Sequence, residues 1–287
     1  IMKNSVLNLR PASAFTGTVI SDIDLREPIP DSAVAEMKNA LFETGVLFFR
    51  SQNLEPAHQM ALAEKFGPVP DAEFLKTVDG FPAIGLIEKQ ADQVRNVGGN
   101  WHSDHSFDEI PPLGSCLYAQ VLPESGGDTL FANMAPAYDS LSDGLKKTVE
   151  TLKVVHAKKS SFYNDPRPER QVSPKELAKI EEELGDRFTS HPVVVRHPET
   201  GRKCLFVNPT YASKIDGWTE AESKPFLEML YAHATRPENT TRFSWEDGSI
   251  AFWDNRTAMH YAINDYQGQY RMLHRVVVAG APFQTHA

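Results

Sequence analysis

The chain has 287 residues, of which 41% are hydrophobic and 23% charged, as expected of a folded globular protein with a substantial core. Its 29 Lys and Arg against 38 Asp and Glu give a formal charge of −9, and the absence of any basic run argues against a nucleic-acid partner. Two cysteines, Cys116 and Cys204, are too few for a disulfide framework and suit a reducing compartment.

The sequence also argues against a membrane partner. No apolar stretch is long enough to cross a bilayer, and the first ten residues lack the basic and apolar pattern of a secretory signal. We therefore expect a cytoplasmic protein. The oligomeric state stays open, with a homo-oligomer as one alternative.

Runs rich in Val, Phe, Tyr and Trp, bounded by turn residues, predict strands, and a few segments carry helix signals. In chain order, the sequence predicts a helix over 32–43 capped by Asp31, a strand over 46–50, a helix over 56–66 opened by Pro56, strands over 83–88 and 115–121, a helix over 173–184, strands over 192–196 and 204–208, a helix over 219–235, and strands over 241–245, 249–253 and 270–279.

These elements predict a mainly β protein with flanking helices. Strands outnumber helices and do not alternate with them regularly, which favours an antiparallel sandwich over a parallel sheet. Residues 160–183 interrupt the strand pattern with prolines and charged residues, and predict an insertion that could act as a lid. Because no repeat or linker divides the chain, residues 1–287 are predicted to form one domain.

A candidate metal site comes from three separated residues. His102 and Asp104 are two apart, so in an extended segment their side chains leave the same face. His260 offers a third ligand far downstream. Two histidines and one carboxylate form the facial triad that suits non-haem Fe(II) and leaves three positions open. Ordinary packed or surface residues are the alternative at this spacing.

The last predicted strand carries two arginines on one face. Period-two alternation places Arg271, Leu273, Arg275 and Val277 together. Guanidinium groups on an otherwise apolar face are suited to capture an anion, since arginine stays charged when buried and pairs with carboxylates through two hydrogen bonds. An exposed face with ordinary ion pairs is the alternative.

Several motifs together resemble one enzyme family. In order and spacing they resemble the Fe(II)/2-oxoglutarate dioxygenases of the taurine dioxygenase and aryloxyalkanoate (2,4-dichlorophenoxyacetate) dioxygenase family. The motifs are Trp-His-Ser-Asp at 101–104, Gly-Gly-Asp-Thr at 126–129, Trp-Asp-Asn at 253–255, His260, Arg271 and Arg275. The resemblance extends over nearly the whole chain and includes Phe-Gly at 66–67.

The resemblance implies a double-stranded β-helix, or jelly roll, with Fe(II) at its open mouth and 2-oxoglutarate and dioxygen as further reactants. It implies that His102, Asp104 and His260 are the catalytic iron ligands. Thr129 and Arg271 are implied as the clamp on the distal carboxylate of 2-oxoglutarate. Asp104 occupies a position where halogenating relatives have a small residue, so hydroxylation is expected.

Family position also implies a set of residues on the substrate side. These are His105, Phe162, Tyr211 and Arg275. Arg275 corresponds to a guanidinium near the substrate anion or the iron-bound end of 2-oxoglutarate. Core packing is the alternative for Phe162 and Tyr211.

The expected substrate is a small anionic organic compound: an aryloxyalkanoate, an alkyl sulfate or a sulfonate. Its hydroxylation can lead to C–O or C–S cleavage, with release of succinate and CO2. Taurine-cleaving relatives have a His where this chain has Pro70, which argues against taurine. Segments 66–69 and 75–82 are more similar to the aryloxyalkanoate-cleaving members.

Three other functions stay open at this point. A biosynthetic hydroxylase of an amino-acid-like or carboxylated metabolite would use the same cofactors. A non-enzymatic jelly-roll binding module would be expected to lack a ligand or Arg271, and both are present. A zinc-dependent hydrolase could use the same three ligands but gives no reason for Arg271 and Thr129.

Overall fold

The computed structural model describes residues 6–73, 75–158, 160, 182 and 187–284. The predicted insertion at 160–183 and the helix over 173–184 lie almost entirely outside the described residues, and so does Phe162.

An eight-stranded sheet forms the larger wall of the core. Its neighbouring strands are antiparallel except β2 and β3, which are parallel. In spatial order it contains β1 (Asn8–Pro11), β2 (Thr18–Ser21), β3 (Val46–Phe49), β14 (Ile250–Asp254), β6 (Gly114–Val121), β16 (Arg271–Val278), β5 (Phe81–Lys89) and β4 (Thr77–Val78). Strands from the N-terminal and C-terminal parts of the chain therefore lie side by side near the centre of this sheet.

Smaller antiparallel sheets complete the β structure. The one that faces the large sheet contains β13 (Thr240–Phe243), β7 (Thr129–Asn133) and β15 (Ala258–Ala262). Another contains β12 (Ala212–Ile215), β8 (Lys153–Ala157) and β9 (Phe188–Pro192), and a last pair joins β10 (Val194–Arg196) to β11 (Lys203–Leu205).

An apolar cluster fills the space between the two facing sheets. Phe48 and Leu273 enter it from the large sheet, and Phe131 and Phe243 enter it from the small one. Phe48 stacks on Phe243 with the ring centres 4.3 Å apart. Two mainly antiparallel sheets packed around such a cluster make the double-stranded β-helix, so the predicted jelly-roll core is confirmed.

Helices cover the outer surfaces of this core. They are α1 (Asp31–Thr44), α2 (Pro56–Glu64), α3 (Met134–Asp139), α4 (Asp143–Val149) and α5 (Glu220–Ala234), with a 3-10 turn at Pro237–Asn239. Met37 of α1 and Leu62 of α2 pack on the outer face of the large sheet. Leu227 of α5 belongs to a separate cluster with residues of α3, β8, β10, β11 and β12. Within the described ranges, no helix is both long and apolar enough to cross a membrane.

Most predicted elements correspond to observed ones, with bounds that differ by a few residues. Helix α5 begins with a capping box between Thr219 and Glu222. Asp31 is not an N-cap, because α1 already begins at Asp31 and the preceding residue, Pro30, has no side-chain donor or acceptor to cap it. Strands β7 and β15, which carry Thr129 and His260, were not predicted.

His156 on β8 is a buried histidine that packs beside Phe206. Its Nδ1 lies 2.9 Å from Ser106 Oγ and its Nε2 lies 3.2 Å from the Phe206 carbonyl oxygen. Burial, with a contribution from the nearby His191, lowers the pKa of His156 from 6.5 to about 3. The folded protein therefore keeps this imidazole neutral at a pH where the unfolded chain binds a proton.

We expect His156 to make the protein less stable as the pH falls from about 6.5 towards 3. Between pH 7 and pH 5 this one group should remove about 2 kcal/mol of unfolding free energy. His156→Gln keeps hydrogen-bonding atoms but does not titrate. The unfolding free energy of the variant should therefore fall by about 2 kcal/mol less than that of wild type over this interval. Urea unfolding at a series of pH values measures the unfolding free energy. An identical pH dependence of this free energy in both proteins would show that His156 is not the group responsible.

Candidate active site

His102 and His260 are brought together by backbone pairing. The His102 N–H donates to the His260 carbonyl at 3.0 Å, and the His260 N–H donates to the His102 carbonyl at 2.8 Å. The two imidazole ring centres are 4.0 Å apart. A loop residue is thereby fixed beside the middle of β15, at the mouth of the sandwich.

Asp104 reaches the same place through a turn. The side chains of His102 and Asp104 converge as expected, but Asp104 begins a turn at residues 104–107 rather than continuing a strand, and His105 adopts the left-handed region with φ of 51°. The Asp104 N–H donates to Asn255 Oδ1 at 3.1 Å, which anchors the turn. Asp104 Oδ1 still lies 3.5 Å from His102 Nε2 and 3.9 Å from His260 Nε2.

These three side chains form a set of donors suited to a metal. One ligand atom from each lies within 4.8 Å of the others, and all three residues are buried. His102 Nδ1 lies 2.8 Å from the Asn100 carbonyl oxygen, which can accept the Nδ1 proton and leaves Nε2 as the ligand atom. Burial and the adjacent His102 lower the pKa of His260, which favours its neutral form. Two imidazoles and one carboxylate fit a divalent iron with open positions.

The second oxygen of Asp104 is held from the large sheet. Ser115 Oγ on β6 donates to Asp104 Oδ2 at 2.7 Å, and Arg275 Nη2 on β16 donates to it at 2.9 Å. Burial alone would raise the pKa of Asp104, but Arg275 and the two histidines hold it well below its usual value. The carboxylate is therefore anionic, with Oδ1 directed at the imidazoles.

Arg271 is a buried cation with free donors. Only 5% of the residue is exposed, and its Nε and Nη2 have no hydrogen-bond partner in the part of the chain described. Its guanidinium carbon lies 5.7 Å from the Trp245 ring centre and 5.8 Å from that of Tyr266. A Cβ on Gly127 would lie 3.2 Å from Arg271 Cδ, so glycine allows this close approach. Burial lowers the pKa of Arg271, but a guanidinium stays charged.

Thr129 on β7 lies in the same cavity as Arg271. Trp245 Nε1 donates to Thr129 Oγ1 at 3.0 Å. Since the indole occupies a lone pair of this hydroxyl, the Thr129 proton is free to point at another acceptor. The pair offers hydrogen-bond donors of the kind a carboxylate accepts.

Two cavities meet at Arg275. The first, about 460 Å³ including its open mouth, is lined by the three candidate metal ligands, Thr129, Arg271 and Arg275, with Ile87, Leu117 and Trp253 among its apolar walls. The second, about 950 Å³ including its mouth, has Leu75, Ile110 and Val277 among its apolar walls. Pro70 and His105 also line the second cavity.

The remaining predicted substrate residues differ in position. His105 stacks on Phe107 with ring centres 5.3 Å apart, and its Nδ1 lies 3.2 Å from Asp108 Oδ2. Tyr211 packs edge-on against Phe107, at 5.0 Å, and against His102, at 6.3 Å. His105 thus borders the second cavity, while Tyr211 packs against the segment that carries His102 and Phe107.

Sequence reasoning missed the residues that support Asp104. Ser115 looked like an ordinary strand residue, and Asn255 was noted only as part of a motif. Asn255 Oδ1 accepts from both the Asp104 N–H and Trp253 Nε1, at 3.1 and 2.8 Å. The detectable signal was a polar run, 254–257, directly after the apolar strand β14.

A buried ion network holds the turn that carries Asn255. Arg256 donates to both carboxylate oxygens of Asp254, at 2.9 and 2.7 Å, and His197 Nε2 lies 2.9 Å from Asp254 Oδ2. Asp254 and Arg256 are 0% and 1% exposed. Burial opposes ionisation of Asp254, but Arg256 and His197 keep its pKa well below the usual value.

We expect Arg256→Met to destabilise the protein by about 3–5 kcal/mol, because it leaves the Asp254 carboxylate buried without its main partner. Arg26→Met is the matched control, since the Arg26–Asp24 pair lies on the surface and should change stability little. Urea unfolding of both variants measures the difference. Equal effects would show that the buried pair is no more important than the exposed one.

Comparisons with known proteins agree with this geometry. The family model described as "Taurine catabolism dioxygenase TauD, TfdA family" matches residues 7–277. An alkylsulfatase of Acinetobacter baylyi is 36% identical, over 96% of this chain and 85% of the relative. An alpha-ketoglutarate-dependent sulfate ester dioxygenase of Pseudomonas putida is 33% identical, over 96% of this chain and 90% of the relative.

Two further matches cover most of the chain. An alpha-ketoglutarate-dependent 2,4-dichlorophenoxyacetate dioxygenase of Cupriavidus pinatubonensis is 34% identical, over 84% of this chain and 86% of the relative. The crystal structure of a taurine dioxygenase from Burkholderia xenovorans superimposes with a TM-score of 0.79 and 35% identity, covering 96% of this chain and 91% of that one. The resemblance carried by the sequence motifs is thereby confirmed.

Proposed function

Because the chain belongs to the TauD/TfdA family of Fe(II)- and 2-oxoglutarate-dependent dioxygenases, we propose that it hydroxylates a small anionic organic substrate. The proposed classes are alkyl sulfates, sulfonates and aryloxyalkanoates, the classes named for its relatives. The observation that carries the proposal is one cavity that joins a buried His-Asp-His set to a buried arginine, Arg271, whose Nε and Nη2 have no partner among the described residues.

His102, Asp104 and His260 would hold the iron through two imidazole nitrogens and Asp104 Oδ1. Iron held there with 2-oxoglutarate and dioxygen supplies the oxidising power that removes a hydrogen atom from a substrate carbon. Ser115 and Arg275 hold the other Asp104 oxygen, so Oδ1 is the carboxylate oxygen that would bind the metal.

Arg271 and Thr129 would bind the distal carboxylate of 2-oxoglutarate. Arg271 Nε and Nη2 are the free donors, and Trp245 leaves the Thr129 proton available as a third. The aromatic walls around Arg271 exclude water and strengthen the charge pair. Succinate and CO2 are the expected products of this cosubstrate.

Arg275 would hold the substrate anion between the two cavities. Its Nη2 is engaged by Asp104, whereas its buried Nε has no partner within the described ranges. The second cavity has apolar walls on the Arg275 side. We propose a substrate with an alkyl or aryl body larger than taurine. When the carbon that bears the sulfate, sulfonate or aryloxy group is hydroxylated, it becomes a carbonyl carbon and that group is released.

The organisation and location of the enzyme are part of the same proposal. We place residues 1–287 in one dioxygenase domain that works in the cytoplasm. Cys116 and Cys204 are both free and buried, which is compatible with a reducing compartment.

A substrate panel tests the proposal. Alkyl sulfates, sulfonates, aryloxyalkanoates and amino acids are incubated with Fe(II) and 2-oxoglutarate, and substrate-stimulated succinate is measured together with released sulfate, sulfite or phenol. One of the first three classes should stimulate succinate and release its leaving group. Stimulation by amino acids alone, with a stable product, would favour a biosynthetic hydroxylase. Turnover with Zn(II) and without 2-oxoglutarate would show a hydrolase.

Arg271→Leu should raise the apparent KM for 2-oxoglutarate by tens- to thousands-fold, because losing one partner of a desolvated charge pair costs about 2–5 kcal/mol. The KM for the prime substrate should change far less. Arg26→Leu, an exposed arginine, serves as the control. An unchanged dependence on 2-oxoglutarate in Arg271→Leu would show that this guanidinium does not bind the cosubstrate.

Arg275→Gln tests the anion anchor. Wild type should prefer an acid over its neutral amide or ester by about 10- to 100-fold in kcat/KM, and the variant should lose this preference. The Fe(II) requirement is titrated in parallel, because Arg275 also holds Asp104. If wild type uses the neutral analogue as well as the acid, Arg275 does not anchor the substrate.

A further inference from the structure

A second buried cation, Lys89, lies next to Arg271. Lys89 is the last residue of β5 and is paired in register with Arg271 of β16. Paired residues of antiparallel strands project to the same side of a sheet. Ile87, two residues earlier on β5, lines the first cavity, and alternation places Lys89 on that same side.

Lys89 has no counter-charge in the described part of the chain. The residue is 2% exposed, and its Nζ has neither a hydrogen-bond partner nor an ion pair there. Nζ lies 4.6 Å from the Tyr266 ring centre, and the same ring lies 5.8 Å from the Arg271 guanidinium carbon. Two buried cations therefore lie near one aromatic ring, and no carboxylate among the described residues forms an ion pair with either.

This arrangement is unfavourable unless an anion completes it. A buried ammonium without a partner is costly, and a second cation nearby adds repulsion. A lysine that only filled space beside Tyr266 could be replaced by an apolar side chain at no electrostatic cost. The position of both cations on the cavity side of the sheet indicates that the missing anion is a ligand.

We propose that Lys89 determines cosubstrate specificity: together with Arg271, its charge selects a 2-oxo acid that carries a second, distal carboxylate. Arg271 and Thr129 provide the hydrogen bonds, and Lys89 acts through its electric field from behind Tyr266. The inference rests on the proposed function for the identity of the cosubstrate. It adds a residue to the binding site and a reason why a dicarboxylate is required.

The test compares two ligands that differ in the distal carboxylate alone. Mn(II)-loaded protein is titrated calorimetrically with 2-oxoglutarate and with 2-oxopentanoate, so that no turnover occurs. Lys89→Met and Lys89→Gln should weaken 2-oxoglutarate binding at least about tenfold and change 2-oxopentanoate binding less than about twofold. Lys76→Met is the matched control, because it removes one exposed lysine charge near the same strand and should affect neither ligand.

Three results would overturn the inference. Equal weakening of both ligands in the two Lys89 variants would indicate a structural role, and unchanged binding of both would indicate none. A wild type that binds 2-oxoglutarate no better than 2-oxopentanoate would overturn the proposed cosubstrate, and with it this role for Lys89. The behaviour of wild type thus separates failure of the proposed function from failure of the inference.

Discussion

The site depends on the contacts that the Asp104 carboxylate makes. One of its oxygens faces two imidazoles, while the other accepts from Ser115 and Arg275 on two neighbouring strands of the large sheet. His260 comes from the small sheet, so the carboxylate joins the two walls of the sandwich. Its burial is tolerable because Ser115 and Arg275 both donate to it and Arg275 balances its charge, so removing Arg275 would leave a buried carboxylate without its cation.

Strand β16 fixes the positions of Arg271 and Arg275 in the site. It pairs with β5 on one side and β6 on the other, so its inward side chains have fixed positions. Arg271 and Arg275 are four residues apart, which corresponds to about 13 Å between their Cα atoms. One end of this span lies among Trp245 and Tyr266, and the other lies beside Asp104. A single strand can therefore place one anion at each end of the cavity.

Features that depend on local pattern could be predicted from the sequence. Alternation along β16 placed Leu273 on the same face as the two arginines, and the helical spacing of Leu227, Leu230 and Ala234 predicted α5 and its buried side. Strands β7 and β15 escaped detection because neither is a run of β-branched and aromatic residues: β7 ends in Ala-Asn and β15 contains two alanines and a Met. Pairing with neighbouring strands therefore decides their conformation. The turn at Asp104 and the contact of Ser115 with that residue depend on tertiary structure, which spacing does not encode.

The unpaired cations also connect cosubstrate binding to stability. A chain that buries Arg271 and Lys89 without anions carries an electrostatic cost in its folded state, and the ligand that supplies the carboxylate removes part of it. Binding that favours the folded state stabilises it in proportion to ligand concentration and affinity. If Arg271 and Lys89 act as proposed, the same charges make the site selective, since a monocarboxylic oxo acid could occupy the volume without neutralising them.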